Sequence, residues 1–164
     1  SVISHARNGG YVWGICNGFQ ILCETGLLPG ALLRNLSGRF ICRDLHIVPG
    51  NTSTALTAGL TSGKPLKIPI AHAEGRYYAD AHTLKALAEE ERILFRYCCR
   101  NGAVTAESNP NGSAENIAGI CNEGRNVFGM MPHPERAAGD LCGNRDGEQL
   151  FASVIACAGK MLPA

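Results

Sequence analysis

Three side chains in this sequence have the types and the setting for acyl transfer: Cys16, His133 and Glu135. Cys16 sits in Gly14-Ile15-Cys16-Asn17-Gly18-Phe19-Gln20, after a wholly apolar run and before a helix-forming stretch. A nucleophile between two near glycines, at a strand-to-helix turn, is the elbow of α/β hydrolases written with Cys in place of Ser. Such a turn strains the backbone at the nucleophile, so its close neighbours must be small. The helix N-terminus that comes next favours a thiolate and lowers a thiol pKa from its ordinary ~8.5. The backbone N–H of Asn17 can point at an oxyanion. The same heptad also reads as a buried cysteine in a tight turn, and the pattern alone does not choose between the two.

His133 lies in Gly129-Met130-Met131-Pro132-His133-Pro134-Glu135-Arg136, at the end of an apolar run. Prolines on both sides restrict the backbone and fix where the imidazole points. In an extended chain Glu135 projects to the same side as His133. A carboxylate there bonds one ring nitrogen, sets the tautomer and leaves the other nitrogen to face a thiol. Cys, His and Glu then form an acyl-transfer triad by role.

These residues need elements to hold them. Tyr11 to Ile15, flanked by glycines, reads as a strand buried on both faces of a parallel sheet. Residues 18–25 read as a helix stopped by Gly26, and residues 1–8 as another stopped by Gly9-Gly10. Phe40 to Val48, Leu66 to Ala71 and Arg92 to Cys98 read as strands, with Pro69 sending the second to an edge. Residues 82–91 are helix formers. Ile117 to Cys121 and Val127 to Met131 flank a five-residue hairpin loop. Asp146-x-x-Gln149 reads as a capping box opening a last helix. Strands mixed with helices point to an α/β layered fold in one domain.

Composition narrows the function. Fifteen Lys+Arg against 14 Asp+Glu, with no basic run, speak against nucleic acid as a partner. No apolar stretch approaches the roughly 20 residues that span a bilayer, and no export leader is visible. The eight cysteines include no C-x-x-C pair, so zinc-ribbon and thioredoxin readings lack support. Most read as small buried hydrophobes in a reducing cytoplasm. No G-x-G-x-x-G or phosphate loop is present, so no nucleotide site is expected in this chain.

With both segments in view, the sequence resembles the class I, triad-type glutamine amidotransferases, whose two signatures are Gly-Ile-Cys-Asn-Gly-Phe-Gln and Met-Pro-His-Pro-Glu-Arg. Within them it is most similar to the PurQ-type glutaminase subunits of phosphoribosylformylglycinamidine synthase. Leu27 to Leu32, Asn35 to Phe40, Ile68 to Tyr77 and Asn109 to Ser113 carry that closer likeness, which runs from about Gly9 to the end. The resemblance implies a flavodoxin-like three-layer α/β fold. It implies that Cys16 attacks the carboxamide of glutamine, that His133 moves the proton and that Glu135 orients His133. It implies that Asn17 supplies an oxyanion N–H, and that Gln20, His72, Ala73 and Glu74 hold the glutamine. Relatives usually carry Gly where this chain has Ala73, a minor departure unless that residue needs positive φ. No cofactor is implied in this chain; ATP and Mg²⁺ belong to a PurL-type synthetase partner, with a small PurS-type subunit beside it. That partner would convert formylglycinamide ribonucleotide to the amidine in purine biosynthesis.

In this family a first strand and a Gly-rich loop, half of the oxyanion hole, precede the elbow strand. Ser1 instead opens in a helix just upstream of it. An N-terminally truncated domain is therefore expected, poorly soluble and with little glutaminase activity of its own. Two alternatives stay open. One is an amidotransferase serving GMP, carbamoyl phosphate or anthranilate synthesis. The other is a non-enzymatic flavodoxin-like relative with a redox-sensing Cys16. Arg39 and Arg76 are expected at the surface or against a partner, Cys23 in the core, His46 in a structural strand position, and His5 and His82 at the surface.

Overall fold

The computed structural model describes residues 1–159. In chain order they form α1 (Val2–Arg7), β1 (Val12–Ile15), α2 (Asn17–Glu24), β2 (Ala31–Arg34), β3 (Ile41–Pro49), β4 (Leu66–His72) and β5 (Glu74–Tyr78). Next come α3 (Ala81–Glu89), β6 (Ile93–Cys98), β7 (Ile117–Cys121), β8 (Val127–Met130) and α4 (Glu148–Gly159). Local chemistry explains the helix ends. The Ser1 hydroxyl accepts from the Ser4 N–H, and Gly9 stops α1 at φ +82°. The Asp80 carboxylate accepts from the Thr83 N–H at 2.7 Å and opens α3.

Six strands form one sheet in the order β1-β8-β7-β6-β3-β4, and β2 pairs with β5 as a separate ribbon. Apolar side chains on the two faces of the sheet build two cores. One gathers Ile47, Leu66, Ile68, Ile70, Phe128 and Met130 with Leu150 of α4. The other gathers Ile93, Ile120 and Val127 with Ala6 of α1, Phe19 and Leu22 of α2 and Leu87 of α3. Helices on both faces make the three layers expected. Each fully buried Leu, Ile or Phe contributes about 1.5–3 kcal/mol. No helix among the described residues is long and apolar enough to cross a membrane.

The sheet differs from the expected parallel one. Among the described residues only β1 and β8 run parallel, and every other pairing is antiparallel. Among the described residues β1 has one neighbour, and Val12, Trp13 and Ile15 are half-buried rather than enclosed. Trp13 is covered by Phe151 of α4, with ring centroids 4.9 Å apart. A wholly apolar run cannot report how many strands flank it. Asp146 is no capping box: its carboxylate accepts from the Lys67 N–H at 2.8 Å and ties the start of β4 to the chain before α4. The ribbon β2–β5 is not foreshadowed in the sequence, because Glu-Gly-Arg-Tyr-Tyr shows little of a strand's alternation in its residue types. Pro69 does lie on an edge strand, since β4 pairs only with β3.

Two relationships position the catalytic candidates. The register Val12↔Val127 to Ile15↔Met130 sets the C-terminal ends of β1 and β8 side by side. Residues 41–45 of β3 have no partner on β6, whose pairing with β3 begins at His46↔Cys98. That free length pairs with 68–72 of β4 and forms an arm. The arm folds over the end of the sheet, where the Pro69 carbonyl accepts from the His133 N–H at 2.8 Å.

Candidate active site

Cys16 stands between β1 and α2 with φ 52° and ψ −106°. A β-carbon is strained there, at a cost of order 1–3 kcal/mol. The Cys16 N–H donates to the Met130 carbonyl at 2.8 Å, and its own carbonyl accepts from the N–H groups of Phe19 and Gln20. Gly14 is required by close approach: a β-carbon there would meet Leu22 Cδ1 at 2.5 Å and the Gly18 backbone at 2.6 Å. Gly18 itself faces open space, so only one of the two elbow glycines is demanded by packing, contrary to expectation.

The thiol is half-buried, with Sγ 3.9 Å from the Ala71 carbonyl on the arm. Burial pushes its pKa up; the Asn17 N–H and the Arg136 guanidinium pull it down but do not prevail. The helix N-terminus therefore does not leave a standing thiolate, and a base is needed.

His133 is buried, 7% exposed. Its Nδ1 lies 2.6 Å from Glu135 Oε1, and its Nε2 is buried without a hydrogen-bond partner. A carboxylate only accepts, so Nδ1 carries a proton, and it is Nε2 that would hold the lone pair of the uncharged ring. The segment is not extended as expected: Pro134–Ala137 is a 3-10 turn, and that turn brings the carboxylate to the ring. Arg136 Nε is 3.7 Å from the same Glu135 oxygen. Arg136 closes the second signature, but its sequence position alone gives it no role.

Residues 72–75 form the wall beside the elbow. His72 is buried and its Nδ1 faces Asn35 Oδ1 at 3.1 Å. Burial, with the neighbouring His133, lowers its pKa to about 4, so it is neutral at neutral pH. Asn35 also donates to the carbonyls of Arg39 and His72, both at 2.9 Å, and accepts from the Gly75 N–H at 3.3 Å. The Asn111 amide donates to the Gly75 carbonyl at 2.8 Å. A β-carbon at Gly75 would lie 2.4 Å from the His72 ring. Ala73 has no positive φ, so its methyl group costs nothing. Gln20 donates to the Glu74 carbonyl at 2.7 Å, while the Glu74 side chain is exposed. A cavity of about 420 Å³ opens here, lined in part by Asn17, Gln20 and Glu74.

Of the remaining candidates, Cys23 lines the same cavity and Arg39 meets the cluster through its carbonyl alone. Cys23 is half-buried; its thiol donates to the Pro29 carbonyl and burial pushes it up to about 12. His46 is half-buried in β3, and His5 and His82 are exposed. Arg39 is exposed, and Arg76 donates to the Arg34 carbonyl at 3.0 Å. Asn35 and Asn111 are legible in the sequence only as parts of longer motifs. Their joint role emerges when residues 35, 72–75 and 111 meet in space.

Residues 4–150 match the CobB/CobQ-like glutamine amidotransferase domain family. The chain is 53% identical over 160 residues to the phosphoribosylformylglycinamidine synthase subunit PurQ of Koribacter versatilis, covering 98% of this chain and 69% of that one. Against the PurQ subunit of Aquifex aeolicus it is 52% identical, covering 94% and 68%. With the PurQ of Salinibacter ruber it shares 51% identity, covering 94% and 66%. The chain thus spans about two thirds of these relatives' length. A solved structure of PurLQS from Thermotoga maritima superposes with a TM-score of 0.82 at 41% identity, covering 96% of this chain and 66% of that one.

Proposed function

The chain belongs to the PurQ-type glutamine amidotransferases, and from that premise we propose that it hydrolyses glutamine to glutamate and ammonia for a synthetase partner. Cys16 is the nucleophile, His133 the acid and base, and Glu135 the group that orients His133. His133 Nε2 takes the thiol proton as Sγ attacks the carboxamide carbon of glutamine. The C–N bond breaks, the proton passes to the departing nitrogen, and a γ-glutamyl thioester and ammonia result. Water, deprotonated by the same Nε2, cleaves the thioester and restores the thiol. The Asn17 N–H stabilises the oxyanion in both steps. Gln20, His72, Ala73 and Glu74 shape the glutamine site; Gln20 and His72 act through the loop they hold.

The ammonia serves a PurL-type synthetase, with a PurS-type subunit, that uses ATP and Mg²⁺ to convert formylglycinamide ribonucleotide to the amidine. The T. maritima structure named PurLQS supports an assembly of that kind. The chain is read as one glutaminase domain, since residues 4–150 match one family and a single sheet carries both cores. Eight unpaired cysteines fit a reducing cytoplasmic setting.

One observation carries the mechanism: a buried imidazole with Nδ1 fixed by a carboxylate and Nε2 bare, at the same sheet end as a strained cysteine. The test is glutamate release by the chain assembled with its synthetase partner, repeated with Cys16→Ala. Release that survives the substitution defeats the assignment.

A further inference from the structure

The turn between β2 and β3 exposes two large apolar side chains, Leu36 at 75% and Phe40 at 64%. Four guanidinium groups belong to the same region: Arg34 at the end of β2, Arg39 in the turn, Arg43 on β3 and Arg76 on β5. Two contacts tie the turn to β5. Arg76 donates to the Arg34 carbonyl, and Leu36 and the Arg76 stem both flank Gly112. Phe40 directly precedes Ile41, which pairs with His72. Among the described residues none of the four arginines has a carboxylate within 4.0 Å. Asp44 is already neutralised by Lys67 at 2.7 Å, which leaves the exposed Glu74 as the acid beside them. The chain as a whole carries only +1; three of these arginines fall within residues 34–43, and the pairing of β2 with β5 adds Arg76.

The surface is also joined to the active-site wall. The Asn35 side chain that holds the Arg39 carbonyl also holds His72 and Gly75. We infer that Leu36 and Phe40, with Arg34, Arg39, Arg43 and Arg76 of the same turn and its flanking strands, form the docking surface for a protein face that presents carboxylates around an apolar centre. The proposal rests on the reading that this chain feeds ammonia to a synthetase, which must seat beside the site where ammonia is released. Apolar anchors supply affinity at the middle of such an interface, and unpaired rim charges supply orientation and on-rate.

The test compares Arg39→Glu/Phe40→Ser with Lys85→Glu, an equal reversal of charge on the exposed face of α3. Both Arg39 and Phe40 are changed only in side chains, and the backbone contact to Asn35 is retained. Binding to the purified synthetase is measured at two salt concentrations, and labelling of Cys16 by a glutamine-analogue electrophile is followed in parallel. The expected result is a Kd raised about 100-fold or more in the double variant and less than about threefold in Lys85→Glu. Salt weakens the unsubstituted complex more than the variant complex, and Cys16 labels equally in all three proteins. Binding by the double variant within threefold of the unsubstituted chain overturns the docking surface and leaves the glutaminase reading standing. So does a chain whose arginines take up single-stranded RNA while the synthetase complex is unaffected. An unsubstituted chain that neither labels nor binds the synthetase overturns both.

Discussion

Glu135 Oε1 lies 2.6 Å from His133 Nδ1, and the 3-10 turn that starts at Pro134 brings them together. The carboxylate places a proton on Nδ1, so Nε2 is the nitrogen that can act as base in the uncharged ring. A helix N-terminus alone does not ionise Cys16, because burial outweighs it. On the proposed mechanism a base is therefore required, and the carboxylate beside the proposed one stands half in water.

Glu135→Gln keeps the shape and removes the obligatory acceptor. Its amide N–H facing Nδ1 favours the tautomer with the proton on Nε2. The expected loss is on the order of 10²-fold in kcat, within the range of general acid–base contributions, with KM changed far less. Steady-state glutaminase kinetics read this directly. Unchanged kcat contradicts the role.

His72 makes stability depend on pH. Its folded pKa of about 4 lies below the ordinary 6.5, so between those values the unfolded chain binds a proton that the folded chain does not. Stability is complete above about 6.5 and is lost as pH falls towards 4, by up to roughly 3 kcal/mol. Tm measured across that window falls steeply for the unsubstituted chain. In His72→Asn the same window shows a shallower fall; an identical slope rules out His72 as its source.

The two elbow glycines separate cleanly. Gly14→Ala drives a methyl group into the Gly18 backbone and Leu22, which costs about 1–3 kcal/mol or more. Gly18→Ala meets nothing and replaces a glycine within α2, which stabilises by up to about 1 kcal/mol. Denaturant midpoints of the two variants check the order. Equal destabilisation contradicts the packing described.

Asn35→Ala leaves His72 Nδ1, the Gly75 N–H and two carbonyls without their partner. Each such buried group costs about 1–3 kcal/mol when it stays unsatisfied, so the variant loses several kcal/mol unless water enters. At temperatures where it remains folded, KM for glutamine rises more than kcat falls, because the glutamine wall loosens while Cys16, His133 and Glu135 keep their own supports. A kcat loss with KM unchanged places Asn35 elsewhere in the mechanism.

The strand–Cys16–helix elbow is legible in the sequence because its signals are local: an apolar run, a cysteine between glycines, then a helix. The Pro132-His133-Pro134-Glu135 segment is legible for the same reason, although it turns where its sequence suggests an extended chain. The place of β1 within the sheet is not legible, because apolar periodicity does not report neighbours. The Asn35–His72–Gly75–Asn111 bracket escapes a residue-by-residue reading since its parts are separated by dozens of positions and each alone is an ordinary turn residue. Ribbon β2–β5 is hidden by Gly75 and by polar side chains. Arg136 bears on the thiol only once the 3-10 turn has brought it round.

On the proposed mechanism Cys16 carries the γ-glutamyl group during turnover. The chain assembled with its synthetase partner is mixed with glutamine, quenched in acid and mapped by mass spectrometry. The expected product is a γ-glutamyl adduct on the peptide containing Cys16, absent in Cys16→Ala and longer-lived in Glu135→Gln. Turnover with the adduct on another cysteine, or continued glutamate release by Cys16→Ala with no adduct, contradicts the claim.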